Sequence, residues 1–563
     1  MIQFPSMASL SFQELSPRER LAALFDDQCY KEMVGPFDRI ASPWLAQQGL
    51  VSQSDDGVVV VRGRIGKMEV VGVAIEPKHE GGSIGEVGGA KIASALRWAA
   101  SSCLPGRPIA AVLLLETGGV RLQEATLGLW AISEIHAAII DLRKLAPVIA
   151  VVAGPIGCFG GMSLAAALCT KIIGTPHGRL GMNGAEVIEQ EAGPQELDAS
   201  DRDLIRQVFG SEARLRDGFI DALVEDQAAS MRAAVHDALN STRRTPTKLE
   251  NASKRLHDLR LDLAAAPVGS SHFQPDPFGK TETVLHRVDR GRLWLETLSD
   301  GKATSTLGTQ SVLTAEVSLG SSPADTAVAI AISRDPDSLL PRAANGELGL
   351  EQAWTLAEYL RSFILGEQRC VNKRPILAIV DSPGQAFGRI EEERCISVAA
   401  AAVVDAYAAA RRSGHIVLTL VVGKAMSGSF LAHGMQSDHL SALDGEDVAM
   451  QAMSLQSIAR ITGRTLAEVE ENSTTILPMS YAIRDAHRLG LVDAIIPGIW
   501  TEAPTEYDSN RLRKYLSETL ASLRHTGPPP RDLDDNPHRQ ATVAVRRAMQ
   551  EQWRAFDEAV VRP

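Results

Sequence analysis

Apolar residues along this chain gather into short unbroken runs closed by glycine, and the same succession of runs occurs twice. Pro108-Ile-Ala-Ala-Val-Leu-Leu-Leu-Glu-Thr-Gly-Gly119 has its counterpart in Pro375-Ile-Leu-Ala-Ile-Val-Asp-Ser-Pro-Gly384. Runs this short with no polar alternation predict strands buried on both faces. Pro147-Val-Ile-Ala-Val-Val-Ala-Gly-Pro-Ile-Gly-Cys-Phe-Gly-Gly161 corresponds to His415-Ile-Val-Leu-Thr-Leu-Val-Val-Gly-Lys-Ala-Met-Ser-Gly428, each a strand running into a small-residue helix start. The third pair is Gly218-Phe-Ile-Asp-Ala-Leu-Val224 and Gly490-Leu-Val-Asp-Ala-Ile-Ile496. Gly118 and Gly384 lie 266 residues apart, Gly160 and Gly428 268, and Gly218 and Gly490 272, so the register holds over most of each half.

Between the first two runs, 122–145 and 390–413 each have room for one helix. Strand, helix, strand, helix in this order implies right-handed parallel crossovers. The predicted class is therefore α/β, with two tandem domains. Leu239 to Gly279 turns polar and then rich in Gly, Ser and Pro, which places a connection there. The predicted division is a first domain over 1–265, a second over 280–520 and a tail over 521–563. Ser16-Pro-Arg-Glu19 offers a capping box with Pro at the first helical position. Beyond Gly527-Pro-Pro-Pro530 the tail is rich in Arg and Glu, and reads either as an amphipathic helix or as a solvated end.

Composition narrows the function classes. An apolar fraction of 45% over 563 residues supports large cores, and a net charge of -12 without a dense Lys/Arg run argues against nucleic acid. The six cysteines show no C-x-x-C pair, so buried reduced thiols are expected rather than zinc. No His, Asp and Cys cluster has metal-ligand spacing, and no metal is expected. No stretch approaches the ~20 uninterrupted apolar residues of a membrane span. The expected compartment is the cytoplasm.

Glycine pairs after buried strands free backbone N–H groups to face a cleft, because no Cβ blocks approach. Gly118 and Gly119 suit this. Gly160 and Gly161 would add the unpaired amides of a helix start. Such donors can hold a thioester oxygen as it becomes an enolate. Tight turns and close helix–strand packing explain any single pair equally well, but the pairs recur. The second half offers Gly384, Gly428 and Ser429 at corresponding places. The glycine-dense Gly81-Gly-Ser-Ile-Gly-Glu-Val-Gly-Gly-Ala-Lys91 is compatible with a loop shaping a nucleotide or pantetheine entrance, through Gly82, Ser83, Gly85 and Lys91.

These residues also carry a resemblance. Gly81 to Val87, Glu116 to Glu124, Gly154 to Gly161 and Gly181 to Gln190 resemble the carboxyltransferase branch of the crotonase superfamily. Together with Ser54 to Val59 they are similar to the malonate decarboxylase beta subunit. Leu340 to Arg342, Gly346 to Leu350, Asp381 to Glu392 and Ala425 to Phe430 resemble the gamma subunit. The resemblance extends from Leu10 to Gly498 and implies two fused crotonase-like domains, each a parallel-sheet β-β-α superhelix. It implies a biotin-independent decarboxylase acting on a malonyl thioester of an acyl carrier protein, whose arm resembles dephospho-coenzyme A. Coenzyme A should then fit the cleft. An acetyl-S-carrier:malonate transferase (alpha) subunit is the further partner implied. No biotin, metal or covalently bound cofactor is expected, and an oligomer of the fused chain is compatible with the reading.

In that reading Gly118, Gly119, Gly160 and Gly161 hold the thioester oxygen, while Gly384, Gly428 and Ser429 hold the departing carboxylate. Candidate proton donors are Ser427, His433, Glu124 and Glu189. His433 more often suits local hydrogen bonding within a helix, and Arg121 with Glu124 is either part of the chemistry or an i, i+3 ion pair. Two rivals stand beside this reading: a biotin-dependent acyl-CoA carboxyltransferase and a non-catalytic docking scaffold. Against the first, Ala449-Met-Gln-Ala-Met453 has no acceptor Lys.

Overall fold

The computed structural model describes residues 10–27, 29–242, 245–265, 288–338, 340–527 and 533–561. The connection expected over 267–277 and Pro528 to Pro530 lie outside them. Two compact units form, and each is built from more than one stretch of chain.

The first unit takes residues up to Ala185, then Ala199–Glu250 and the chain end from Arg539. Its seven strands lie in sequence order: β1 (Tyr30–Met33), β2 (Val58–Ile65), β3 (Met68–Ile75), β4 (Ile109–Leu114), β5 (Val148–Val152), β6 (Lys171–Gly174) and β7 (Ala222–Leu223). β1 to β3 pair antiparallel, and every pairing from β3 onward is parallel. The β2–β3 hairpin closes through Gly66 and Lys67, with Gly66 at φ +60, a two-residue turn that matches strand twist. Helices α1 (Glu86–Ser102), α2 (Ala125–Leu142) and α3 (Gly161–Leu168) follow β3, β4 and β5. α2, although long and apolar enough to cross a membrane, is a core helix, 83% buried over its apolar window. At the chain start, the capping box of Ser16 and Glu19 forms with both of its bonds.

The second unit takes Glu186–Asp198 and Asn251–His538. It includes all but the first residue of α4 (Ala185–Ala192) and the helix Ala252–Ala265. Its strands are β8 (Thr304–Thr306), β9 (Thr309–Ser318), β10 (Thr326–Ile332), β11 (Ile376–Ser382), β12 (Val417–Met426), β13 (His439–Leu443), β14 (Ala449–Gln451) and β15 (Ala494–Ile496). The order is β15-β13-β12-β11-β10-β9-β8, with β14 paired to the end of β12. Again the leading strands are antiparallel and the rest parallel. Helices α5 (Leu350–Gly366), α6 (Ile396–Arg412) and α7 (Ser427–Ala432) repeat the roles of α1, α2 and α3. The last helix, α8 (Gln540–Val561), belongs to the first unit, where it packs along α1.

The repeat extends to an unusual helix cap. α1 and α5 both start after a glycine, Gly85 and Gly349, whose side chain could not have served as a cap. In each unit a buried glutamate from the downstream turn takes that place: Glu86 N–H donates to Glu124 Oε1 at 3.3 Å, and Leu350 N–H to Glu391 Oε2 at 2.8 Å. A Cβ on Gly85 would collide with the Glu124 carboxylate, and one on Gly349 would sit 2.8 Å from Glu391 Oε1. Glycine is therefore required at both positions to admit the capping acid.

Candidate active site

In the first unit three segments converge beyond the C-terminal ends of β3, β4 and β5. The turn after β4 is stitched to the 81–84 loop: Gly118 N–H donates to Gly81 O at 3.0 Å, Ile84 N–H to Gly119 O at 2.8 Å, and Arg121 N–H to Ile84 O at 2.9 Å. On its other side the turn pairs with the segment after β5, through Thr117 N–H to Gly157 O at 2.8 Å and Phe159 N–H to Thr117 O at 2.9 Å. Beyond that, Gly160 N–H donates to Met182 O at 3.0 Å. The two glycine turns touch, since a Cβ built on Gly119 would lie 3.1 Å from Gly160 Cα. Gly119 at φ +104 and Gly160 at φ +60 occupy backbone conformations that side chains disfavour.

The structure changes which amides are available. Gly118 and Gly160 spend theirs on backbone carbonyls, and Gly119 N–H donates to Thr117 Oγ1 at 3.0 Å. Among the described residues, Val120 and Gly161 are two amides beside the touching glycines with no protein acceptor. Val120 N lies 3.9 Å from where a Gly160 Cβ would be, so the missing side chain leaves room beside it. Of the four glycines expected to donate, Gly161 keeps a free N–H, Gly118, Gly119 and Gly160 do not, and Val120, which the sequence reading did not name, keeps one.

His136 of α2, which sequence reasoning passed over, anchors this helix start. Its Nε2–H donates to Gly161 O at 2.8 Å, and burial pushes its pKa down to about 4, keeping the ring neutral. A lone His within the apolar Ile135-His-Ala-Ala-Ile-Ile140 was its sequence signal. Beneath the turn, Glu116 accepts from Arg20 at 2.6 Å in a buried ion pair and lies against Gly154.

The expected arm-binding loop is corrected in part. Lys91 is fully buried, its ammonium donating to Asp55 O at 3.0 Å and to Val58 O, and burial lowers its pKa to about 8. It cannot meet a ligand from there. The start of α1 is closed as well: Glu124 takes the Glu86 amide, and Gly88 N–H donates to Asp56 Oδ2 at 2.6 Å. Gly85 is pressed against Glu124, and Gly82 against Glu116 O. Ser83, half-buried, gives its carbonyl to Arg121 at 2.9 Å.

Arg121 and Glu124 form an ion pair at 3.1 Å, and Arg121 also binds Asp56. All three are buried, and burial raises Glu124 above the ordinary carboxylate range even with Arg121 beside it. Glu124 caps and pairs, and so does not present a proton at the turns.

The second unit repeats the turn with different contents. Leu348 N–H donates to Gly384 O at 2.9 Å and Ala386 N–H to Leu348 O at 3.0 Å, so Gly384 answers to Gly119. The helix-start amide is occupied: Gly428 N–H donates to Gln385 Oε1 at 3.0 Å. Ser429 is buried, with Oγ donating to Ser382 Oγ at 2.7 Å. His433 is buried between Tyr407 OH at 2.8 Å and Ile379 O at 3.2 Å, and burial lowers its pKa to about 4, which makes it a structural histidine. Glu189 lies half-buried on α4. Ser427 differs from these. It stands at φ +55 where the first unit has Gly160, its Cβ 3.8 Å from where a Gly384 Cβ would be, and its hydroxyl has no protein partner among the described residues. Also among the described residues, no group of three or more His, Cys, Asp or Glu is placed to hold a metal ion.

Two protein families match the chain, one in each half. The carboxyl transferase domain family matches residues 13–258, and the malonate decarboxylase gamma subunit family matches 343–553. The malonyl-S-ACP:biotin-protein carboxyltransferase MADC of Malonomonas rubra is 36% identical over 286 residues, covering 48% of this chain and 90% of that protein. A chain of a Pseudomonas malonate decarboxylase hetero-tetramer solved with malonate is 48% identical, covering 48% of this chain and 95% of that one at a TM-score of 0.44. Another, solved with coenzyme A, is 39% identical, covering 47% and 100% at 0.45. The chain belongs to the malonate decarboxylase branch of the carboxyltransferases, with a beta-like half and a gamma-like half joined in one polypeptide.

Proposed function

We propose that this chain decarboxylates a malonyl thioester to an acetyl thioester and carbon dioxide, as a carbon-carbon lyase within a malonate decarboxylase complex. The observation that carries the reading is the pair of unengaged amides, Val120 and Gly161, on two touching turns whose glycines leave the approach clear. When the C–C bond to the carboxylate breaks, its electron pair moves into the thioester and charge grows on the carbonyl oxygen. Two fixed N–H donors stabilise that oxygen more than the neutral carbonyl, at about 3 kcal/mol each. Protonation of the enolate carbon then yields the acetyl group.

The substrate is carried on an acyl carrier protein through a dephospho-coenzyme A type arm. Coenzyme A thioesters enter the same cleft, and a transferase subunit reloads the carrier with malonate. In the second unit, Gly384, Ser427 and Gly428 form a matching cradle that accepts an oxygen once the Gln385 side chain moves off. A second reading, carboxyl transfer to a biotin protein, is favoured by the name of the Malonomonas relative. It passes through the same enolate and differs in the fate of the carboxyl group.

The test is carbon dioxide release by the purified full chain from malonyl-loaded carrier protein and from malonyl-CoA without biotin. Release supports the decarboxylase. Absence of release, with carboxyl transfer once a biotin protein is added, replaces it with the second reading.

A further inference from the structure

The chain end that follows the gamma-like strands is wired into the glycine turns of the first unit. Thr542 Oγ1 donates to Glu86 Oε1 at 2.6 Å, with Thr542 N–H and Arg539 Nε each at 3.3 Å from the same oxygen. Trp44 Nε1 donates to the other oxygen, Oε2, at 3.1 Å. Arg539, Thr542 and Glu86 are all buried. Glu86 is the first residue of α1, and its amide meets Glu124. Glu124 pairs with Arg121, which holds the Ser83 carbonyl and whose own amide closes the bond to Ile84 next to Val120. A series of buried hydrogen bonds, relayed covalently through Glu86 and Arg121, thus runs from Arg539 and Thr542 to the turn with the free Val120 amide. In a low-dielectric interior such bonds are strong, and losing one partner is costly.

The rest of α8 is fastened independently. Ala541 and Val545 pack on Val87 and Ala90, Trp553 stacks on Trp98, and Gln552 Oε1 accepts from Val34 N–H at 2.8 Å. Loss of the Glu86 contact therefore need not release the helix.

We propose that Thr542 and Arg539, acting through Glu86, are positioning residues for the Val120 amide, so that the chain end sets the geometry of the turn that carries it. The proposal deepens the thioester reading and rests on it for its kinetic consequence. Thr542→Val keeps the shape and removes the hydroxyl, Thr542→Ser restores it, and Gln552→Ala cuts the helix's far anchor.

Hydrogen exchange on the full chain reads the geometry whichever thioester reaction the protein performs. For Thr542→Val, faster amide exchange over 81–89 and 118–121 is expected, with Thr542→Ser near wild type and Gln552→Ala leaving those segments unchanged. In turnover, kcat should fall roughly tenfold to hundredfold with KM held, as expected of a displaced donor. If the wild type transfers carboxyl to biotin instead of releasing carbon dioxide, the same variants are compared on the transfer rate. Unchanged exchange in Thr542→Val, equal loosening in Gln552→Ala, or a wild-type kcat overturns the proposal.

Discussion

The two units hold the same turn in two states. In the first, the helix-start amide at Gly161 is free and the position before it is glycine. In the second, the corresponding Gly428 amide is occupied by Gln385, and the position before it is Ser427 in a left-handed conformation. Their helix caps differ in the same way. Glu124 has Arg121 beside it, whereas Glu391, equally buried, leaves Oε1 without a partner among the described residues and is pushed up to about 8 by burial, with Glu392, Glu196 and Glu347 adding to the rise. One scaffold thus supports an open turn whose capping acid is braced by a cation and a filled turn whose capping acid is not. What the scaffold fixes is where the amides stand, and the side chains around it decide whether they are available.

The comparison breaks most severely at Arg121. Arg121→Met leaves Asp56 and Glu124 buried without their cation, and a loss of roughly 3–5 kcal/mol is expected in denaturant unfolding, the cost of an orphaned buried charge. Ser427→Gly relieves a left-handed non-glycine residue and should stabilise the chain by about 1 kcal/mol in thermal unfolding, while lowering turnover because the free hydroxyl is lost. Gln385→Met keeps the volume but frees the Gly428 amide. If ligand must displace the Gln385 carbonyl, KM should fall about fivefold, the equivalent of one hydrogen bond of about 1 kcal/mol. A further effect is pH-dependent. Because the folded Glu391 binds its proton more tightly than the unfolded chain does, the stability it contributes is full below the ordinary glutamate value of 4.5 and is lost as pH rises through about 8. Glu391→Gln should therefore gain on wild type toward alkaline pH, by roughly 2–4 °C in Tm for each kcal/mol recovered.

Much of the scaffold was legible in the sequence, because buried parallel strands and glycine turns are local patterns. Strands β4, β5, β11 and β12 and helices α2 and α6 fall within the runs that predict them. The leading antiparallel strands were missed, although Val58 to Val61 and Met68 to Ile75 around Gly66 carry an ordinary hairpin pattern. Register was read one residue off, pairing Gly118 with Gly384 where the bridges Ile84 to Val120 and Leu348 to Gln385 pair Gly119 with it. The state of each amide was not legible. It depends on carbonyls supplied from Gly81 and Met182, far along the chain, and no local spacing reports them. Lys91 misled for a similar reason: its glycine-rich neighbourhood suggested a ligand loop, but the inward face of α1 carries it into the core.

Gly161→Pro tests most directly whether the Gly161 amide stabilises the enolate. Proline suits the first position of a helix and puts a ring carbon in place of the N–H, which has no protein partner among the described residues. Single-turnover carbon dioxide release from a malonyl thioester should fall by roughly a hundredfold or more, with thermal unfolding near wild type. A folded Gly161→Pro protein that releases carbon dioxide at the wild-type rate would contradict the account.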